Sequence, residues 1–141
     1  MQRTAQAQWH GDLRSGSGSL SVASQTLSDT PYSFVSRFEQ GKGTNPEELL
    51  AAAHAGCFTM AVTAELTKAG IKAETLETTS TITLDRKDGG FAITESHLDL
   101  KAKVPGVTQQ VFDQVVQGAK AGCPVSKLFN TNITLTAHME A

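Results

Sequence analysis

Charge is scarce in this sequence: Lys, Arg, Asp and Glu make up 18% of 141 residues, and the formal net charge is -2. With a pI near 6.0, no basic field is available to draw the chain to nucleic acid or an anionic membrane. The opening MQRTAQAQWHGD lacks the apolar core of a signal sequence, and no window reads as a membrane span. A cytoplasmic protein is expected. No repeat, linker or shift in composition divides the chain, so one domain over 1–141 is expected, long enough to bury a core. Cysteine is scarce too. Cys57 and Cys123 are the only two, 66 positions apart (123 - 57). In a reducing compartment such a pair is either buried inert thiols or a redox or catalytic pair.

Other absences narrow the chemistry further. RSGSGS is rich in glycine but lacks the Lys-Ser/Thr ending of a phosphate loop, and alternating residues follow it, so a hairpin turn is expected. DRKDGG lacks the further spaced acidic ligands of a calcium loop; Asp88-Gly89-Gly90 reads as a tight hairpin turn. His10, His97 and His138 are scattered, and no Cys-x-x-Cys or His-x-x-x-His spacing supports a metal.

What is present reads as alternating strands and two main helices. AQAQWHG and SLSVAS alternate around RSGSGS, and a looser strand is expected at PYSFVSRFE. The polar loop EQGKGTN leads into a long helix from Pro46 to about Lys68, ending at Gly70. Thr44 or Asn45 can cap it, and Glu47 and Glu48 complement its positive end. Apolar residues from Leu49 to Leu66 cover most of its circumference, which predicts burial nearly all round and points to a partner subunit. Strands over 72–86 and 91–103, a helix over 108–120, a short helical turn at AGCPVSKLF and a strand at NITLTAHME complete the chain. The order β-β-β-α-β-β-α-β with antiparallel hairpins is α+β.

The two thiols have opposite settings. Pro124 disfavours helical geometry at Cys123 and suits the first position of a new helix, where the dipole favours thiolate. Cys57 lies inside an apolar helix, where desolvation raises a thiol pKa unless a cation reaches it. Glu47 precedes Cys57 by ten positions (57 - 47), a helical rise of about 15 Å, so the two cannot touch along one straight helix. Arg37, in FVSRFEQ, could bridge a carboxylate and a thiolate, or be an ordinary surface arginine. His54 shares a helix face with Cys57. It is open to three readings: a base for the thiol, part of a zinc site with Cys123, or a polar residue facing solvent or a subunit seam.

PYSFVSRFEQGKGTNPEELLAAAHAGCF together with KAGCPVSKLFNTNITL resembles the osmotically inducible protein C (OsmC) family, sister to the organic hydroperoxide resistance proteins. AQWHGDLRSGSGSL and LDRKDGGFAIT fit as well, so the resemblance spans nearly the whole chain. GCPVSK, with RFE before GTNPEE, looks like the OsmC branch. The resemblance implies an intertwined homodimer, sheets wrapped around central helices, with two active sites at the interface. It implies a metal-free and cofactor-free cysteine peroxidase acting on organic hydroperoxides in oxidative and osmotic stress defence, reduced by a dithiol such as a lipoylated protein. By position, Cys57 matches the peroxidatic cysteine, Cys123 the resolving one, Glu47 the carboxylate holding the catalytic arginine, and Arg37 that arginine. Arg14 competes for the last role, because the sister branch takes its arginine from nearer the N-terminus. Phe38, Leu50, Phe58 and Met60 are candidates to shape a pocket for the alkyl group. The competing readings are a non-catalytic, stress-related binding dimer with inert thiols, and a metal-binding protein using Cys57, Cys123 and His54.

Overall fold

The computed structural model describes residues 1–140. They form two compact units, Met1–Leu49 and the chain from Leu50 onward.

In the first unit, β1 (Ala5–His10), β2 (Ser17–Val22) and β3 (Thr30–Tyr32) make an antiparallel sheet in the order β1-β2-β3. RSGSGS is the hairpin turn between β1 and β2, as its glycines predict. Asp12 accepts the Ser15 N–H at 2.7 Å and the Ser15 hydroxyl at 2.6 Å, bonds that hold its carboxyl below the usual range. Glycine is required at position 18, where a Cβ would sit 2.5 Å from the Tyr32 ring and 2.6 Å from Trp9. Its absence lets those rings meet edge to face at 5.4 Å.

The expected strand over PYSFVSRFE is corrected after Tyr32, because Phe34–Phe38 is a short helix, α1. Ser33 accepts the Ser36 N–H while Ser36 Oγ accepts the Ser33 N–H, a reciprocal cap that overrides the alternating pattern. Helix α2 (Pro46–Lys68) follows and carries the chain into the second unit. Asn45 is its cap, accepting the Glu48 N–H at 2.7 Å.

The second unit holds β4 (Thr75–Lys87), β5 (Gly90–Lys103), α3 (Gln109–Gly122), α4 (Pro124–Leu128) and β6 (Asn132–Glu140). β4 and β5 are a long antiparallel hairpin turned at Asp88 (φ 51°) and Gly89 (φ 81°), the left-handed pair that a two-residue turn demands. β6 departs from the expected antiparallel sheets: it pairs parallel to β5, with Glu95 opposite Asn132 and Lys103 opposite Glu140. Alternation specifies which face is buried, not strand direction, and the α3–α4 connection is long enough for a parallel return. The result is α+β, two three-stranded sheets with helices.

The core of this unit joins Phe58, Val62 and Leu66 of α2 to Leu98, Leu100 and Ala102 of β5 and Phe112, Val116 and Ala119 of α3. Two expectations for α2 change here. Its fully covered stripe is narrow, His54, Phe58, Val62 and Leu66 at every fourth position, and Met60 is 75% exposed. The expectation that no window approaches a membrane span also fails, because Pro46–Lys68 has the length and, at a mean hydropathy of 1.4, the apolar content. Alanines and other small residues raise the average without adding bulk. The core helix of a soluble protein meets the same criterion.

Candidate active site

Each unit holds a pair of functional side chains. In the first unit the chain around α1 is tied down from three directions. Ser36 Oγ donates to the Thr44 carbonyl at 2.8 Å, Asn45 Nδ2 donates to the Ser36 carbonyl at 3.0 Å, and the Thr44 N–H donates to the Pro31 carbonyl at 2.9 Å. These bonds fix α1 against the start of α2 and bring Arg37 to Glu47. Arg37 Nε donates to Glu47 Oε1 at 3.0 Å and Nη2 to Oε2 at 3.4 Å, a two-point fork that orients the guanidinium as well as holding it. Glu47 is 12% exposed and Arg37 40%, so the carboxylate is spent on its partner while the cation keeps an open side. Arg37 also lies over the Phe38 ring at 5.2 Å.

A cavity of about 440 Å³ opens beside this pair, lined by Trp9, Leu13, Tyr32, Phe34, Arg37 and Phe38. Arg14 stands over the Phe34 ring at 4.8 Å. Of the two arginines the sequence offered, Arg37 is the one held by Glu47.

In the second unit, Cys123 closes α3 and opens α4: its N–H donates to the Ala119 carbonyl, and Pro124 is the first residue of the next helix. That is the position Pro124 predicted. Cys123 is fully buried and Cys57 half-buried, both as free thiols. Their sulfurs lie 2.9 Å apart, with Cys123 donating to Cys57 in the neutral pair.

The two thiols titrate in opposite directions. Burial pushes Cys57 up, and the neighbouring Cys123 adds to the effect, against the Val125 N–H. Burial opposes ionisation of Cys123 too, but hydrogen bonds from Cys57, from the Ser126 N–H and hydroxyl and from the Val125 N–H outweigh it and pull Cys123 down. The first proton lost therefore leaves the thiolate on Cys123 and the remaining S–H on Cys57.

His54 is corrected. It faces neither solvent nor a seam but is fully buried, with Nδ1 2.6 Å from Ser96 Oγ and Nε2 2.8 Å from Ser126 Oγ. Two hydroxyls occupy both ring nitrogens, and no group of three or more His, Cys, Asp or Glu side chains is placed to hold a metal among the described residues. Burial lowers the His54 pKa. Ser96 and Ser126 escaped the sequence reading. The available signal was symmetry of spacing, since His54 stands three residues before Cys57 and Ser126 three after Cys123. Among the residues considered for an alkyl pocket, Phe58 is taken up by the core and Phe38 lines the cavity beside Arg37.

A buried dithiol at the junction of two helices, in an α+β chain with this order of elements, defines the class: the chain belongs to the OsmC-like protein family, whose profile matches residues 39–138. Peroxiredoxin OsmC of Escherichia coli (strain K12) is 45% identical over 139 residues, covering 99% of this chain and 97% of that protein. Organic hydroperoxide resistance protein OhrA of Bacillus subtilis (strain 168) is 35% identical over 97 residues, covering 67% of this chain and 66% of the relative. The solved structure of an OsmC-like protein from Vibrio cholerae O1 superposes with a TM-score of 0.79 over 98% of this chain and 99% of the other. At 14% identity that likeness shows a shared fold.

Proposed function

We propose that this chain is a thiol-dependent peroxidase that reduces organic hydroperoxides to alcohols in stress defence. The observation that carries the reading is the free Cys57–Cys123 pair, with sulfurs 2.9 Å apart and distinct ionisation. The relatives named peroxiredoxin and organic hydroperoxide resistance protein support it.

On this reading Cys57 is the peroxidatic thiol. Its thiolate attacks one peroxide oxygen, the O–O bond breaks, and the alkoxide leaves and takes a proton to become the alcohol. Cys57 is then a sulfenic acid. Cys123, the resolving thiolate, attacks the Cys57 sulfur; the S–S bond forms, the S–O bond breaks, and hydroxide leaves to be protonated as water. An external dithiol, for which a lipoylated protein is the candidate, reduces the disulfide. No metal or cofactor enters the cycle.

The neighbours of Cys57 within its own unit raise its pKa, so the mechanism requires a cation to oppose them. That role falls to Arg37, oriented by Glu47, which also stabilises charge developing on the peroxide oxygens. The reading includes one OsmC-like domain over 1–141, a cytoplasmic location and an intertwined homodimer with its sites at the interface. The apolar faces of α2 outside the His54–Leu66 stripe, left open in the single chain, support the dimer.

The test is a thiol count. One equivalent of an organic hydroperoxide added to reduced protein removes both thiols rapidly, and Cys57→Ser abolishes that loss. Retention of both thiols in the unsubstituted protein sinks the peroxidase and favours the binding dimer with inert cysteines.

A further inference from the structure

The buried His54 has no role in the mechanism above, yet it is two hydrogen bonds from the resolving sulfur. Ser126 Oγ lies 2.8 Å from His54 Nε2, and the Ser126 hydroxyl bonds to Cys123. On the other side of the ring, Ser96 Oγ lies 2.6 Å from Nδ1, and Ser80 Oγ lies 3.4 Å beyond Ser96. The chain thus crosses from β4 and β5 through α2 to α4 and ends on sulfur.

Proton counting fixes its direction. Ser126 has one hydroxyl proton. If that proton points at the Cys123 thiolate, the Ser126 oxygen must accept from the ring, so Nε2 carries the hydrogen. Nδ1 is then bare and accepts from Ser96. The opposite tautomer would draw the Ser126 proton to Nε2 and take the hydroxyl donor away from Cys123. Full burial and the edge of Phe129, 4.9 Å from the ring, keep water from supplying a substitute.

We propose that His54 is a positioning residue for the resolving step: its Nε2–H holds the Ser126 hydroxyl as a donor to the Cys123 thiolate. The role of Cys123 in that step rests on the peroxidase reading; the hydrogen-bond chain does not. A donor on sulfur keeps Cys123 ionised when Cys57 has become a sulfenic acid, and in reductive recycling it favours Cys123 as the leaving thiolate. The titratable groups connected to Cys123 are Cys57, directly, and His54, through Ser126, both on α2; β5 contributes the Ser96 hydroxyl. Lys120 of α3 and Lys127 of α4 line a cavity that Ser126 also borders.

Two measurements test this. In a Cys57→Ser background only Cys123 titrates as a thiol, and its ultraviolet thiolate absorbance is followed against pH without any hydroperoxide. Ser126→Ala and His54→Leu are expected to move that titration to higher pH. His54→Gln, whose amide N–H replaces Nε2–H but cannot act as a base, is expected to restore it. Titrations that coincide in all four proteins overturn the proposal, as does a shift that His54→Gln fails to reverse while its circular dichroism and melting match the parent.

The second measurement restores Cys57. After one equivalent of hydroperoxide, Ser126→Ala is expected to slow disulfide formation about tenfold more than it slows loss of the first thiol, the scale of a hydrogen bond to a charged group. A sulfenic-acid trap should then label Cys57. Equal slowing of both phases overturns the positioning role. Failure of the unsubstituted protein to lose either thiol overturns the peroxidase reading instead, and the titration, which uses no hydroperoxide, tells the two failures apart.

Discussion

The ion pair and the thiol pair of this chain are built on opposite plans. Arg37 and Glu47 meet charge to charge in the N-terminal unit, the carboxylate nearly covered and the cation partly open. Cys57 and Cys123 meet in the interior of the other unit, surrounded by neutral donors: two backbone N–H groups, a serine hydroxyl and, behind it, a neutral histidine. A guanidinium is always charged, so it needs only orientation and tolerates solvent. A thiol must be told which proton to lose, and weak neutral donors in a dry setting do that more selectively than a full charge. The donors settle on Cys123, so the proposed chemistry at Cys57 has to draw its bias from the other pair.

Damage to either side should separate the two plans. The largest effect is expected from Phe58→Ala, which empties the centre of the thiol-bearing unit. A loss of about 3–5 kcal/mol in stability should appear as a large drop in denaturation midpoint, with the Arg37 side untouched by direct contact. Next comes Arg37→Met, expected to slow the first thiol oxidation about 100-fold in single turnover with little change in melting temperature. Arg37→Lys should not rescue it, because an ammonium cannot reproduce the two-point fork on Glu47. Arg14→Met, stacked on Phe34 rather than held by a carboxylate, should change that rate only slightly; a loss equal to that of Arg37→Met would exchange their roles.

Smaller effects probe the supports. Ser33→Ala removes one half of the reciprocal cap of α1 and should cost about 1 kcal/mol, with a modest fall in peroxidase rate as Arg37 loses its footing. The smallest is a slope against pH. His54 is buried with its pKa lowered from 6.5, so the unfolded chain binds a proton that the folded chain refuses. Stability contributed by the neutral ring is complete above about pH 6.5 and declines as pH falls below it. Denaturation midpoints measured across that range should fall more steeply with acid in the unsubstituted protein than in His54→Gln.

Much of this was legible in the sequence because the relevant signals are local. The strands β4 and β5, the Asp88-Gly89 turn and the start of α2 at Pro46 follow from alternation and turn and cap chemistry within a few residues. Helix α1 was missed because its cap uses Ser36, not the acidic or amide residue that marks such a box, and the flanking FVSRF alternates as a strand would. The direction of β6 could not be read, since a strand shows the same faces whichever way it runs. Cys57, Cys123, Arg37 and Glu47 could be singled out by type and motif. The His54 environment could not, because its two partners lie 42 and 72 positions away and both are serines, which carry no signal of their own.

The parallel pairing of β5 with β6 sets an order of events. Cys123 sits on the crossover between two strands that must run side by side, so its far anchor, β6, leaves the ribosome only after the cysteine itself. An antiparallel hairpin such as β4–β5 can zip from its turn, whereas a parallel pair closes a long loop before its first bond is rewarded. Through that interval Cys57, already synthesised on α2, faces the cell without its partner thiol. The newborn chain thus has a period in which one sulfur is open to oxidation with no second sulfur to return it to disulfide.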